Sequence, residues 1–277
     1  HIHVIRIIFE KENNVIPQGF SSDDVNMDAP ALFADTFYLD YIKQMSRTGL
    51  AAHGLGLTLA VRDDIRKFYE ESCQEAIQLD NLVTNLLLKK GLYIRAPFIE
   101  KPKHVEYVDD KDFLGKVFGK QRPLLAVEVT HLYGNMQANS LRKALTIGFS
   151  QVAKSKKVRQ YMVQGRDIAT KHLNILHSFL DDSNLRGPIT WNDTVTDSTI
   201  APFSDKLMMF HIGAVTAIGI ADYGASLSTS LRMDETISYS RLASELLLFA
   251  KDGADLMIEN GWMEKPPQAS DRDKLSE

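Results

Sequence analysis

The sequence predicts an all-α protein built from a duplicated helical unit. Apolar residues recur at helical spacing along most of the chain, the alternation typical of strands is nearly missing, and part of the first half recurs in the second. Residues 35–97 align with residues 205–267 at a constant offset of 170, with thirteen identical pairs. Two tandem four-helix bundles, the first truncated at its N-terminus, would account for these observations.

Periodicity and helix-ending residues predict each element in turn. Helices are expected at 1–12, 32–60 and 64–90 in the first half, and at 125–152, 155–182, 202–231 and 234–260 in the second. Gly91 and Gly261 stand where a left-handed residue would end a helix. Asp64 and Asp234 stand where an N-cap would begin one.

The lengths of the connections indicate how the second half is arranged. Short joins near residues 154 and 232 predict antiparallel hairpins. The longer join, 183–201, can run the length of a helix of roughly 40 Å. A long middle crossover between two hairpins is the ferritin-like arrangement. We therefore expect the C-terminal part of a first bundle at 1–100, a linker at 101–122 and a complete second bundle at 123–277.

The first repeat is expected to be incomplete. The stretch 123–171 has no counterpart before His1, which predicts a parent chain with roughly 50 more residues upstream. The apolar stripes of the half bundle should then pack on the second bundle or stay exposed. They consist of Phe33, Phe37, Ile42, Leu50, Leu57, Leu79, Leu82 and Leu86.

Composition excludes several classes of protein. Lys and Arg number 32 against 36 Asp and Glu, a formal charge of −4, which disfavours a dedicated nucleic-acid binder. The single cysteine, Cys73, excludes an internal disulfide framework and fits a reducing compartment. The longest apolar runs, 48–61 and 208–221, are shorter than the roughly 20 residues of a membrane span. We therefore expect no nucleic-acid partner and no span.

A di-metal carboxylate centre is one candidate for such a bundle, and its motif is incomplete. The centre needs Glu-x-x-His on two helices, and the second bundle carries it once, as Glu128 and His131. The simpler interpretation is that both are partly exposed polar residues.

A second candidate comes from the duplication. His172 and Glu245 lie on apolar helical stripes and recur in the first half as His1 and Glu75. Counting along the helices, a crossover brings Glu245 level with His172, beside Gly219, whose missing side chain leaves room. A simple up-down order would separate the two by about 10 Å. We expect buried, hydrogen-bonded pairs that fix helix register, and a metal ion or small ligand is the alternative.

Four segments resemble one family: GLYIRAP at 91–97, GFSQVAKSK at 148–156, FSDKLMMFH at 203–211 and ENGWMEKPPQ at 259–268. The family is the domain-of-unknown-function family 3231 of endospore-forming bacteria, which is related to spore coat protein F. The resemblance covers essentially the whole chain and implies tandem ferritin-like bundles, a link to the spore coat or sporulation, and no catalytic residue to carry over.

Together these observations predict a non-enzymatic structural or interaction protein. We expect it to self-associate or to bind other coat or helical proteins, and to be cytoplasmic or spore-associated. No cofactor is expected. The alternative is a bundle that binds a divalent metal ion or small ligand in its core.

Overall fold

The computed structural model describes residues 1–116, 119 and 121–276, and this part of the chain is helical. Its α-helices are α1 (Ile2–Lys11), α2 (Asp35–Leu59), α3 (Asp63–Lys89), α4 (Ala126–Val152), α5 (Lys156–Asp182), α6 (Asp205–Thr229) and α7 (Met233–Glu259). Strand-like pairing in the described part is limited to two isolated bridges. The predicted all-α class is confirmed. Residues 117, 118 and 120 of the predicted linker 101–122, and residue 277 of the predicted second bundle 123–277, lie outside the described residues.

The two predicted helix stops are confirmed. Gly91 has φ of 68° and Gly261 has φ of 67°, a left-handed conformation that glycine adopts without strain. After each glycine, a backbone N–H turns back to a carbonyl of the preceding helix, at 2.9 Å for Leu92 and 2.9 Å for Trp262. These bonds satisfy carbonyls that the helix end would otherwise leave unpaired.

The predicted N-caps are wrong. The residues at the N-cap positions are Arg62 and Arg232, and Asp64 and Asp234 lie within the first turn. The Asp64 carboxylate pairs with the Arg62 guanidinium at 2.8 Å, and the Asp234 carboxylate pairs with the Arg232 guanidinium at 2.6 Å. A carboxylate inside the first turn still favours the helix, because it faces the positive end of the helix dipole.

Helices α4–α7 form a four-helix bundle with a long middle connection. Here α4 packs on α5 and α6, and α7 packs on the same two helices. The backbone N–H groups of Lys154 and Ser155 donate to the Asp205 carboxylate at 3.0 and 2.7 Å. The starts of α5 and α6 therefore lie at the same end of the bundle. Residues 183–204 must run back along the bundle, as the length of this join predicts.

The two halves of the chain repeat the same elements at the same spacing. The bounds of α2 and α3 fall 170 residues before those of α6 and α7, and α1 ends 171 residues before α5. A one-turn 3-10 helix at Ser22–Asp24 likewise corresponds to one at Asn192–Thr194. The sequence offset is therefore also an offset of structural elements.

The segments before α2 and α6 pair with each other in antiparallel fashion. Bridges join Val25 to Phe203 and Phe33 to Val195. Four backbone hydrogen bonds accompany them: Asn26 N to Pro202 O, Thr196 N to Leu32 O, Ser204 N to Asp24 O, and Ala34 N to Thr194 O. When 170 is added to each residue number in the first half and subtracted from each in the second, every bridge or bond becomes another member of the set. The contact has the local two-fold symmetry of an isologous dimer interface.

The core of the second half extends into the first. Phe33 and Phe37 are 3% and 1% exposed and belong to one cluster with Phe149 and Met208. Leu82 on α3, in contrast, is 65% exposed. Part of the predicted apolar stripes therefore packs on the second half, and part stays exposed. The packed residues Phe33 and Phe37 lie at or beside the two-fold contact.

Helix α6 is long and apolar enough to cross a membrane by length and composition, with a mean hydropathy of 1.3. Buried helices of soluble proteins pass the same test, and 39% of the apolar window is buried here. The sequence expectation counted only the uninterrupted run 208–221, whereas the helix continues through polar residues that contact α4 and α5.

Candidate functional site: a buried histidine–carboxylate pair

His172 lies on α5 with its side chain fully buried between α6 and α7. Its Nε2 is 3.2 Å from Oε2 of Glu245 on α7, and its Nδ1 is 3.0 Å from Oη of Tyr223 on α6. The predicted pairing of His172 with Glu245 is therefore confirmed. Glu245 is partly exposed, and its Oε1 accepts a hydrogen bond from Nζ of Lys171 at 2.7 Å.

Electrostatics assign the proton of the imidazole. Burial lowers the pKa of His172 to about 4, although Glu245 opposes the effect, so the ring is neutral at pH 7. Partial burial disfavours ionisation of Glu245, but the hydrogen bonds from Lys171 and His172 outweigh it and lower the Glu245 pKa. A neutral ring beside a carboxylate donates its Nε2–H to that carboxylate. Nδ1 then accepts from the Tyr223 hydroxyl.

The hydrogen bonds continue from Tyr223 into α4. The Tyr223 oxygen accepts from Nδ2 of Asn139 at 2.8 Å, and Oδ1 of Asn139 accepts from Nη1 of Arg142 at 2.8 Å. Arg142 is 2% exposed and also donates to the Val215 carbonyl at 3.2 Å. Donation therefore runs in one direction, from a buried cation to a partly exposed anion: Arg142, Asn139, Tyr223, His172, Glu245.

Gly219 on α6 leaves room for Arg142, so the expectation that it makes room for the pair itself is wrong. A Cβ at Gly219 would overlap Nη2 of Arg142 and would approach Leu246 to 3.1 Å. The guanidinium fills the space because this is where α4 and α6 pack against each other.

The first-half pair has the predicted contact but not the predicted burial. Nε2 of His1 lies 2.7 Å from Oε2 of Glu75, and the two side chains are 43% and 64% exposed. His53 takes the place that Tyr223 has in the second half, with its ring centroid 6.2 Å from that of His1. Solvent therefore competes for every group in this pair.

The Glu-x-x-His motif has a structural role at the start of α4. Glu128 is 2% exposed, which corrects its interpretation as a partly exposed residue. Its carboxylate accepts from both Nη atoms of Arg122 at 2.8 and 2.7 Å and from the backbone of Leu125 at 2.8 Å. His131 is half-buried, with Nδ1 3.3 Å from Oγ of Ser226. Glu128 therefore caps a helix and pairs with an arginine.

The atoms of His172 and Glu245 that were predicted to hold a metal ion already form hydrogen bonds within the protein. Both ring nitrogens of His172 and both carboxylate oxygens of Glu245 have hydrogen-bond partners. Among the described residues, no group of three or more His, Cys, Asp or Glu side chains is placed so that it could hold a metal ion. A zinc ion takes four ligands, and the Lys171 ammonium would oppose a cation beside Glu245. His1 and Glu75 likewise offer two groups.

Sequence reasoning did not find Arg142, Asn139 or Tyr223. The repeat could have indicated Tyr223, because this residue stands 170 positions after His53 and next to the predicted pair. Nothing in the sequence indicated Arg142, since charged residues are almost always exposed.

The fold and this site define an all-helical bundle protein whose buried polar groups join its helices. The chain belongs to the family described as "Protein of unknown function (DUF3231)", whose model matches residues 1–105 and 112–275. A solved structure from Bacillus halodurans C-125, described as that of a candidate spore coat protein, is similar at 17% identity with a TM-score of 0.49. The match covers 54% of this chain and 98% of that one. No curated protein matches the chain.

Proposed function

We propose that this protein has a structural role, acting through protein–protein contacts rather than through catalysis. The observation that carries the proposal is the hydrogen bonding of the core, where His172 and Glu245 are fully engaged with Tyr223 and Lys171. A reacting group or cofactor would have to displace those bonds. Arranged in this way, the groups hold α4, α5, α6 and α7 in register.

Exposed apolar side chains on the first half support a protein partner. Large apolar residues 39–82% exposed lie on each of its three helices: Ile2, Leu55, Leu59, Ile77, Leu79 and Leu82. The partner we propose is a second copy of the chain or another helical coat protein, because helices bury such residues best against other helices.

The ferritin-like tandem arrangement is part of the proposal. The equal offsets of the helix bounds and the long crossover at 183–204 support it. On this basis residues 1–100 belong to a first repeat, 101–122 to a linker and 123–277 to a second repeat.

A cytoplasmic location, with deposition on the spore, is also proposed. It rests on the resemblance of four segments to the spore-coat-related family. The acidic balance of −4 disfavours a nucleic-acid partner. The contacts of α6 with the other helices of its bundle favour a core helix over a membrane span. Detection of the chain in purified spores with an antibody tests the spore link, and its confinement to vegetative cells would contradict it.

Light scattering of the purified chain over a range of concentrations tests the structural role. We expect an oligomer that Leu82→Glu dissociates and that Asn81→Glu leaves intact, since Asn81 is a neighbouring exposed polar residue. A monomer at every concentration would contradict self-association.

The second candidate function is the binding of a metal ion or small ligand at His172 and Glu245. It is favoured by the side-by-side imidazole and carboxylate and by the open hollow that Glu245 and Lys171 line with Gln164. Elemental analysis separates the two candidates. A stoichiometric divalent metal that Glu245→Gln removes would favour this second function, and metal-free protein favours the first.

A further inference from the structure

A fully buried carboxyl group lies at the start of α7, on Glu235, whose side chain is 0% exposed. One of its oxygens, Oε2, is 2.6 Å from Oγ of Ser230 at the end of α6. The other oxygen, Oε1, is buried and has no hydrogen-bond partner among the described residues. A protonated carboxyl group is tolerated in such a place, whereas an ionised one is costly because its charge has lost the water that would solvate it.

The cations beside Glu235 are engaged with other carboxylates. Arg122 donates to the Glu128 carboxylate from both Nη atoms, at 2.8 and 2.7 Å. Arg232 donates to the Asp234 carboxylate from Nε and Nη2, at 3.1 and 2.6 Å. Within the part of the chain that the structure describes, Glu235 itself forms no ion pair. Three carboxyl groups therefore share two guanidinium groups at this end of the bundle.

The surroundings of Glu235 bring its two protonation states close to balance. Burial raises the pKa of Glu235 from 4.5 to about 7, although Ser230 and the charge of Arg232 favour the ionised form, as does the positive end of α7. Burial also raises the pKa of the Tyr239 phenol, so this group, one turn further along α7, stays neutral. Helix α5 contributes the uncharged ring of Phe179, 5.7 Å from the Arg232 guanidinium. The charge of Glu235 therefore changes near neutral pH.

Arg232 also fixes the segment that precedes α4. Its Nη1 donates to the Arg122 carbonyl at 3.2 Å, and Nε of Arg122 donates to the Phe113 carbonyl at 2.6 Å. Gly115 lies against the backbone of Arg232, where a Cβ would come within 3.6 Å of the Arg232 Cα. The contact of residues 110–116 with the start of α7 thus depends on where the Arg232 guanidinium points.

The first half of the chain has the arginine–aspartate pair without the buried carboxyl group. Arg62 and Asp64 pair at 2.8 Å, as do the residues 170 positions after them. The residue 170 positions before Glu235 is Ile65. A helix start of this kind therefore forms without a carboxyl group at that position, which points to a role of Glu235 beyond folding.

We propose that Glu235 is a proton-operated latch for the segment before α4. While the carboxyl group is protonated, it donates its hydrogen to Ser230, and Arg232 keeps its bond to the Arg122 carbonyl. Once the carboxyl group is ionised, Nη1 of Arg232 turns to the unpartnered Oε1, and residues 110–116 leave the start of α7. A rise in pH through neutrality therefore opens this end of the bundle. This inference is independent of the proposed structural role.

Hydrogen exchange of the full chain at pH 6 and pH 8, followed by mass spectrometry and corrected for the intrinsic rate at each pH, tests the latch. We expect residues 110–116 to exchange about tenfold faster at pH 8, because Glu235 titrates near 7 in the closed state and near its ordinary pKa in the open state. In Glu235→Gln the two corrected rates should agree. Glu70→Gln, which removes an exposed charge from α3, should keep the tenfold difference.

Carbon-13 NMR of the Glu235 carboxyl group, assigned through the backbone resonances, is a second measurement that needs no variant. We expect a pKa of about 7. Any of three results overturns the proposal: equal corrected exchange of residues 110–116 at the two pH values in the parent, a difference that persists in Glu235→Gln, or a pKa of Glu235 near its ordinary value.

Discussion

The two histidine–glutamate pairs stand at equivalent places in the two halves, yet their surroundings differ. His172 is fully buried and forms part of a chain of hydrogen bonds that starts at Arg142. His1 and Glu75 meet at the surface, at 2.7 Å. The same two residue types therefore make a buried contact in one half and an exposed contact in the other. The contribution of such a pair is set by its burial and its further partners, and the residue types alone do not determine it.

Removing the two histidines tests this difference most strongly. We expect His172→Ala to lower the free energy of unfolding by about 3 kcal/mol, because it leaves a void and strips partners from Tyr223 and Glu245. His1→Ala should cost less than about 1 kcal/mol, because both side chains of that pair are exposed to water. Urea denaturation followed by circular dichroism measures both. Equal losses would show that burial does not distinguish the pairs.

The two equivalent glycines sharpen the comparison. We expect Gly219→Ala to destabilise the protein by about 2 kcal/mol, since the new methyl would displace the buried guanidinium of Arg142. At Gly49 a methyl would meet its nearest neighbour, Ala76, at 3.6 Å, an ordinary contact. Gly49→Ala should therefore be neutral or stabilising by up to about 1 kcal/mol, because alanine favours the helix. A comparable loss at Gly49 would refute the role given to Arg142.

Asp40, a buried carboxylate on α2, is predicted to cost stability in a pH-dependent way. Burial raises the pKa of Asp40 to about 6, although Gln44, Arg47 and Trp191 favour its ionised form. A raised pKa means that ionisation opposes folding, so the cost is missing below about pH 4, grows up to about pH 6 and is complete above it.

We therefore expect Asp40→Asn to gain on the order of 1–2 kcal/mol at pH 7.5 and little at pH 4. Glu235, whose pKa burial raises to about 7, affects parent and variant alike and cancels in the difference. A gain that does not depend on pH would contradict the burial assigned to Asp40.

Helix positions could be predicted from the sequence, whereas cross-helix partners could be predicted only in part. Periodicity and Gly91 and Gly261 located the helices, and loop length gave the crossover that brings Glu245 to His172. The N-cap assignment of Asp64 and Asp234 failed because each carboxylate is drawn to an arginine two residues before it.

The burial of Arg142 and of Asp40 could not be predicted, for a common physical reason. Which side chain crosses between helices depends on small differences in packing, such as the room left at Gly219. The burial of Asp40 depends on how the two halves of the chain pack, and no local sequence pattern around Asp40 indicates that packing.

The most direct test of the structural role of the buried pair is NMR of the ring nitrogens of His172, assigned by comparison with His172→Gln. We expect a neutral ring with its proton on Nε2 from pH 5 to pH 8, a pKa of about 4, and no change on addition of equimolar zinc chloride. Titration near the ordinary value of about 6.5, or a shift of these nitrogens with zinc, would contradict the account.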